Sequence, residues 1–197
     1  GAVSEHLTFD VRYQTALEIA LGASSQHIIV EDEQAATKAI DFLKRNRAGR
    51  ATFLPLTTIK ARSISSQNQD VIASSPGFLG MADELVAFDA KHEAIFKNLL
   101  ATTAIFDTVE HARDAARKVR YQVRMVTLDG TELRTGGSYA GGANRQNNSI
   151  FIKPELEQLQ KEIAQEEKLL RQEEENLKSV QENLTALAQT LEVIKSQ

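Results

Sequence analysis

From Leu156 to Leu191 an apolar residue returns every seven positions: Leu156, Ile163, Leu170, Leu177, Leu184 and Leu191. Three positions after each stand Leu159, Glu166, Glu173, Val180, Leu187 and Ile194, so that two glutamates alone interrupt a second apolar row. Rows spaced alternately three and four residues apart form one narrow stripe on an α-helix. Sustained over six heptads, they constrain the segment to a coiled coil, because a stripe of period 3.5 is covered by another helix rather than by a globular core. Pro154 suits the first turn of that helix, and no glycine or proline follows it. As one helix, residues 154–197 reach roughly 65 Å at 1.5 Å per residue. The chain has no second heptad run to cover this seam, and residues 1–10 are too few to supply one. The partner strand is therefore expected from elsewhere, and the sequence reads as a piece of a longer coiled-coil protein.

The heptad segment is acidic and the remainder is not. From Pro154 onward 5 basic residues face 10 acidic ones, a charge of −5, whereas residues 1–153 hold 18 basic and 17 acidic residues, a charge of +1. A nearly neutral globule joined to an acidic helix lacks the bulk positive charge of a dedicated nucleic-acid binder. With aromatics at 6% and no tryptophan, the core must be built mainly from Leu, Ile, Val and Ala. The absence of cysteine excludes disulfides and thiolate metal sites and fits a reducing compartment, so a cytoplasmic protein is expected. No apolar run approaches the roughly 18 residues of a membrane span, no signal-peptide layout opens the chain, and no membrane association is expected.

The globular part reads as two similar halves. In the first, Tyr13, Ala16, Leu17 and Ala20 form a helical stripe closed by Gly22, and His27 to Val30 is a short apolar strand. Asp32 is placed to cap a helix carrying Ala36, Ala39, Ile40 and Leu43, which ends near Gly49 before a strand over residues 51–54. In the second, residues 92–100 form a helix and residues 104–106 a strand. Asp107 or Thr108 caps a helix through Ala112, Ala115, Ala116 and Val119, and residues 122–128 form a strand turning at Asp129-Gly130. The order helix, strand, helix, strand repeats, with Ala36 and Ala39 falling on Ala112 and Ala115 at an offset of 76. Residues 63–80 between the halves are polar and read as a loop, with Ser74 to Gly77 as a turn. The expected architecture is α+β: subdomain 1 with its connecting loop over residues 1–85, subdomain 2 over 86–153 and the coiled-coil helix over 154–197.

Residues 136–142, Gly-Gly-Ser-Tyr-Ala-Gly-Gly, hold four of the ten glycines. Such density marks backbone that needs positive φ or is approached closely by something else. A P-loop needs Lys and Ser/Thr after its second glycine, and here Ala143-Asn144 follow Gly142. A dinucleotide fingerprint would open a helix, whereas this loop runs into Asn144 to Asn148. The serine elbow fails at its fifth position, Ala140, and no His/Asp partners are evident. The four histidines, His6, His27, His92 and His111, lack metal-ligand spacing. No catalytic residue, metal site or cofactor is therefore assigned. Basic residues gather at Lys44, Arg45, Arg47 and Arg50 and at Arg113, Arg117, Lys118, Arg120 and Arg124, where they could meet phosphates. A reading from another class, a small-ligand or enzymatic domain using the glycine loop as a cradle and oligomerised by the coiled coil, finds only Arg134 and Arg145 near the loop.

A glycine-rich loop, two related halves and a coiled coil leaving from the last strand together resemble the hinge domain of SMC (structural maintenance of chromosomes) proteins of bacterial type. The resemblance is carried by residues 16–22, 35–44, 49–56, 77–80, 126–130 and 136–142, and covers about Tyr13 to Asn148. It implies a homodimerisation hinge of a chromosome condensation and segregation ATPase, joining two arms into a ring or V around DNA. It also implies that the first subdomain of each chain meets the second of the other, with Gly77 and Gly80 near one contact and Gly136, Gly137, Gly141 and Gly142 near the other. The arm stub would pair, antiparallel, with an N-terminal arm helix. ATPase head motifs are absent, so no ATP hydrolysis is expected of this fragment, and kleisin and accessory subunits would bind through the head. A cytoplasmic, nucleoid-associated protein is implied. Where many bacterial hinges carry a lysine run after the last glycine pair, Asn144 to Asn148 hold only Arg145, so DNA contact is expected to be weak and non-specific, through Arg145, Lys153, Arg117, Lys118 and Arg120.

Overall fold

A computed structural model describes residues 1–142 and 152–195, and the chain divides into two units, Gly1–Phe151 and Ile152–Gln197. The first unit runs β1 (Leu7–Phe9), α1 (Gln14–Leu21), β2 (Ile28–Val30), α2 (Glu33–Asn46), β3 (Phe53–Pro55), α3 (Ser66–Ala73), β4 (Phe78–Met81), β5 (Val86–Phe88), α4 (Glu93–Leu100), β6 (Thr103–Phe106), α5 (Val109–Lys118), β7 (Arg124–Thr127), β8 (Glu132–Leu133) and β9 (Tyr139–Ala140). The architecture is α+β, as expected. The second unit is one helix, α6 (Ile152–Lys195), which begins two residues before Pro154.

The helices start on the signals that the sequence carries. Asp32 Oδ1 accepts the N–H of Ala35 at 2.8 Å at the head of α2. Thr108 Oγ1 accepts the N–H of His111 at 3.4 Å at the head of α5, the same cap 76 residues on. Asp107 pairs instead with His111 Nδ1 at 2.8 Å, and that hydrogen bond holds its carboxyl below the usual carboxylate range. Gly22 ends α1 at φ +50.

The duplication also holds where it was not anticipated. β1 and β5 pair antiparallel through Leu7↔Phe88, Thr8↔Ala87 and Phe9↔Val86. A shift of 79 residues carries β1 onto β5 and each pair onto a pair of the same set, so Thr8↔Ala87 lies on a local two-fold relating the halves. Asp10 and Asp89, also 79 apart, each cap the short 3-10 turn that follows. The change of offset from 79 to 76 falls at Gly22–Gln26, an added 3-10 turn in the first half.

The halves differ in how far their sheets are completed. β2 and β3 form a two-stranded parallel sheet with Ile28↔Phe53 in register, extended on the β2 side by a bridge from Ala2 to Ile28. The second half has five strands in the order β4-β6-β7-β8-β9, with β6 and β7 parallel. One core takes Ala16, Leu17, Leu21, Ile29 and Leu54 from the first half and Phe96, Leu100, Ile105 and Val126 from the second. A second core, built of Ile72, Ala104, Phe106, Ala112, Ala116, Met125 and Leu133 among others, fills the far side of the larger sheet. Period-2 alternation on β6 and β7 sends Ile105 and Val126 to one core and Ala104, Phe106 and Met125 to the other.

Residues 63–80 are not a loop throughout, because they contain α3 and β4. Ser65 accepts the N–H of Asn68 and starts α3, and the helix persists in a polar run because Ile72 is fully buried against α5. The strand expected over 51–54 lies at Phe53–Pro55, and that expected over 122–128 is confined to Arg124–Thr127.

His6 and His92 meet where β1 and β5 join the halves, with ring centroids 4.7 Å apart. His92 is buried, and neither its Nδ1 nor His6 Nε2 has a hydrogen-bond partner among the described residues. Burial first, then the neighbouring His6, pushes His92 below its ordinary value of 6.5. The fold therefore prefers neutral His92, and stability present above pH 6.5 is lost as the pH falls through that value and the unfolded chain takes up the proton. His92→Tyr, which installs the residue found at the corresponding Tyr13, is expected to flatten this fall. Urea midpoints at pH 7 and pH 5 measure it, and equal slopes for the two proteins would contradict it.

Candidate dimerisation site

The glycine-rich segment is a β-hairpin. β8 and β9 pair through Glu132↔Ala140 and Leu133↔Tyr139, and Arg134 N–H donates to Ser138 O at 2.8 Å. Gly136 N–H donates to Tyr121 O at 2.9 Å and Gly137 N–H to Arg134 O at 3.0 Å, so two of the amides that a phosphate cradle would need are already used. Gly136 and Gly137 take φ of +86° and +95° to turn the hairpin. β9 closes the sheet order, leaving its outer edge unpaired among the described residues, and Tyr139, paired with Leu133, is half exposed with its hydroxyl 3.5 Å from that of Tyr121.

Gly77 and Gly80 lie on or beside β4, at the opposite edge of the same sheet. A Cβ on Gly77, at φ +75°, would overlap Asp107 Oδ1 and His111 Nδ1, and one on Gly80 would stand 3.0 Å from Leu85 Cδ2. Contacts within the chain thus account for both glycines.

In the first half, β3 pairs with β2 alone among the described residues. Thr52 O accepts from Ile28 N–H, and Leu56 N–H donates to Val30 O. Residues 52, 54 and 56 therefore turn toward β2, and the N–H and C=O of Phe53 turn outward, with Pro55 supplying a carbonyl and no donor. Above this sheet, α2 buries little beyond Ala36: Ile40 is 39% exposed, whereas its counterpart Ala116 on α5 is 0% exposed.

The family model described as SMC proteins Flexible Hinge Domain matches residues 1–116, more than half of the chain. The chain belongs to the SMC hinge family. The hinge is 44% identical over 163 residues to the chromosome partition protein Smc of Bacillus subtilis (strain 168), a match covering 82% of this chain and 14% of that one. It is 41% identical over 155 residues to the protein of that name from Lactiplantibacillus plantarum, covering 79% and 13%. It thus spans about one seventh of the length of these relatives. Among solved structures it resembles an asymmetric dimer of the Geobacillus stearothermophilus SMC hinge domain, with a TM-score of 0.77, 39% identity and coverage of 86% of this chain and 68% of that one. It also resembles the Pyrococcus furiosus SMC hinge domain, with a TM-score of 0.60, 34% identity and coverage of 75% and 74%.

The remaining expected site residues of the hinge fall in different places. Arg117 and Lys118 end α5, and Arg120 follows at φ +52°. Arg145 lies outside the described residues, and Lys153 is in the first turn of α6. The seam residues Leu159, Ile163, Leu170, Leu177, Val180, Leu184, Leu187 and Leu191 are all exposed on α6, while Leu156 and Ile194 belong to the same helix. No described helix is long and apolar enough to cross a membrane. The sequence reading missed the open edge of β3 and the half-open face of α2. The signal available was the mismatch between the aligned stripes, with Ile40 and Leu43 where the second half has Ala116 and Val119.

Proposed function

We propose that this chain is the homodimerisation hinge of an SMC chromosome-partition ATPase, joining two coiled-coil arms into a ring or V that embraces DNA. The observation that supports this reading is a pair of sheet edges on one globule that no described strand covers, β3 in the first half and β9 in the second. An open edge recruits a strand. Two copies related by a two-fold axis offer each β3 the partner's β9, satisfying four edges with two equal contacts in a closed assembly. Gly136, Gly137, Gly141 and Gly142 belong to that contact. The exposed seam on α6 is one strand of an arm whose antiparallel partner is an N-terminal arm helix, and the heads that bind ATP, kleisin and accessory subunits belong to other parts of such proteins. The relatives named for chromosome partition support a nucleoid-associated, cytoplasmic setting. Sedimentation equilibrium of the 197-residue chain tests the reading: a dimer is expected, and a monomer at all concentrations contradicts it.

DNA binding by the hinge is a secondary activity, weak and independent of sequence, carried by Arg117, Lys118, Arg120, Arg145 and Lys153. With only a few phosphate contacts the logarithm of the binding constant should fall with the logarithm of salt, and removing one contact should lower the slope by about one. Fluorescence anisotropy across a salt series measures this, and a salt-independent constant or a marked sequence preference would contradict it.

A further inference from the structure

We infer that the last turn of α2 and the segment after it form a contact of their own for the backbone of duplex DNA, made by Lys44, Arg45, Arg47 and Arg50. The inference rests on the DNA-binding reading above for its ligand, and adds a site on the first half to the residues proposed there. The internal repeat supplies the comparison. The bridge from Ala2 to Ile28 matches the pair Met81↔Ala104, which sets β2 on β6 at an offset of 76. Ile28 pairs with Phe53 and Ala104 with Met125, so β3 falls on β7 at an offset of 72. The first half thus holds four more residues between its parallel strands, and they lengthen the helix: α2 has 14 residues where α5 has 10.

The added turn does nothing for the core. Residues 44–52 are all exposed, whereas in the second half Val119 and Val123, at 3% and 2% exposure, tie the stretch between α5 and β7 to the interior. The turn is nevertheless well defined, with Arg47 at φ +50° and the N–H of Ala48 donating to Leu43 O at 3.0 Å. Lys44 and Arg45 complement the negative end of the helix, as Arg117 and Lys118 do on α5. That effect fades beyond the last turn and does not call for Arg47 or Arg50. None of the four cations forms an ion pair among the described residues. Nor is a carboxylate near them in sequence: residues 42–69 hold six basic residues and no acidic one, a charge of +6, against +1 for residues 1–153 as a whole, which leaves −5 for the rest. The composition also selects the ligand. Residues 44–52 have no apolar side chain larger than alanine, and a protein partner would need an apolar centre to the contact. A phosphate backbone needs only cations free to meet it.

Fluorescence anisotropy with a short labelled duplex of mixed sequence, between about 50 and 200 mM salt, tests the site. The variant Lys44→Gln/Arg45→Gln/Arg47→Asn/Arg50→Gln removes four charges and keeps a residue at position 47 that tolerates left-handed backbone. It is expected to bind about tenfold or more weakly at the low-salt end and to lower the slope of log affinity against log salt by about three, with its circular dichroism and its mass by light scattering unchanged. Arg117→Gln/Lys118→Gln/Arg120→Asn is measured beside it. A four-residue variant with wild-type affinity and slope overturns the inference, and if the three-residue variant then loses binding, the DNA reading stands without it. A wild-type chain that binds no duplex at the low-salt end removes both. Should the four-residue variant fail to fold, acetylation of Lys44 in the wild-type chain decides: protection by excess duplex is expected, and equal labelling with and without DNA overturns the inference.

Discussion

Replacing Gly141 and Gly142 together by glutamate is expected to turn the dimer into folded monomers. The two residues continue β9 beyond the last paired strand, where the sheet edge is open. Among the described residues there is room for the new side chains: none lies within 4 Å of a Cβ at Gly142, and Thr131 alone is near one at Gly141. Gly142 has φ +140°, so glutamate there carries a local backbone cost of about 1–3 kcal/mol. That cost falls outside both hydrophobic cores, since neither glycine contributes to them. Across the interface the balance differs. Two carboxylates would be buried without partners at the strand-to-strand contact, costing several kcal/mol at each of two symmetric contacts. Light scattering paired with circular dichroism separates the outcomes. A persistent dimer contradicts the interface assignment, and lost secondary structure would mean that these glycines serve the fold.

Arg124→Met is expected to produce the larger loss of stability, because one side chain ties the two halves together. Arg124 donates from Nη1 to Ala20 O at 2.8 Å and from Nη2 to Ile19 O at 2.9 Å, which are carbonyls in the last turn of α1 without helical partners of their own. Its Nε donates to Glu132 Oε1 at 2.7 Å, and Glu132, 8% exposed, also accepts from Arg134 Nε at 3.0 Å. Methionine keeps the stem and removes all three charged donations. The carbonyls lose their donors, and the buried carboxylate keeps only the more exposed Arg134. Charged hydrogen bonds of this kind contribute about 1.5–3 kcal/mol each, and breaking a buried pair about 3–5 kcal/mol. Partial exposure of Arg124, at 28%, favours a total near the lower end, about 3 kcal/mol. In a domain of this size that lowers Tm by roughly 6–12 °C. Scanning calorimetry at fixed protein concentration measures it, since dimerisation also shifts Tm, and a fall of less than about 2 °C would show that the bridge does little.

The parts of this fold that the sequence discloses are those whose signals are local. Asp32 and Thr108 announce their helices, Gly22 ends α1, and six unbroken heptads predict α6. The parts it conceals depend on residues far apart. β1 and β5 are three residues each and become legible only as a pair 79 residues apart, and β8 and β9 have two residues each among glycines and charges. α3 reads as loop because one buried isoleucine in a run of polar residues carries it. Arg124 looks like a member of a basic cluster, and two of its three partners are 104 and 105 residues away. The glycines divide for the same reason. Density alone cannot distinguish Gly77, which makes room for the Asp107–His111 pair of its own chain, from Gly141, where a Cβ would meet only Thr131 among the described residues. Nor does periodicity reveal that the stripe of α2 is under-covered, because exposure depends on which strands reach the neighbouring edge.

The contacts that join two copies are expected to reside in the globule and not in the heptad helix. Residues 1–153 contain the edges of β3 and β9 and both cores, while α6 carries an exposed apolar seam that could pair with itself in water. Light scattering on residues 1–153 over a concentration series, beside the full 197-residue chain, separates the two sources. The shortened chain is expected to have twice its own monomer mass down to the concentration at which the full chain also dissociates. A shortened chain that is folded by circular dichroism yet monomeric throughout, while the full chain is dimeric, would place the association in the helix and contradict it.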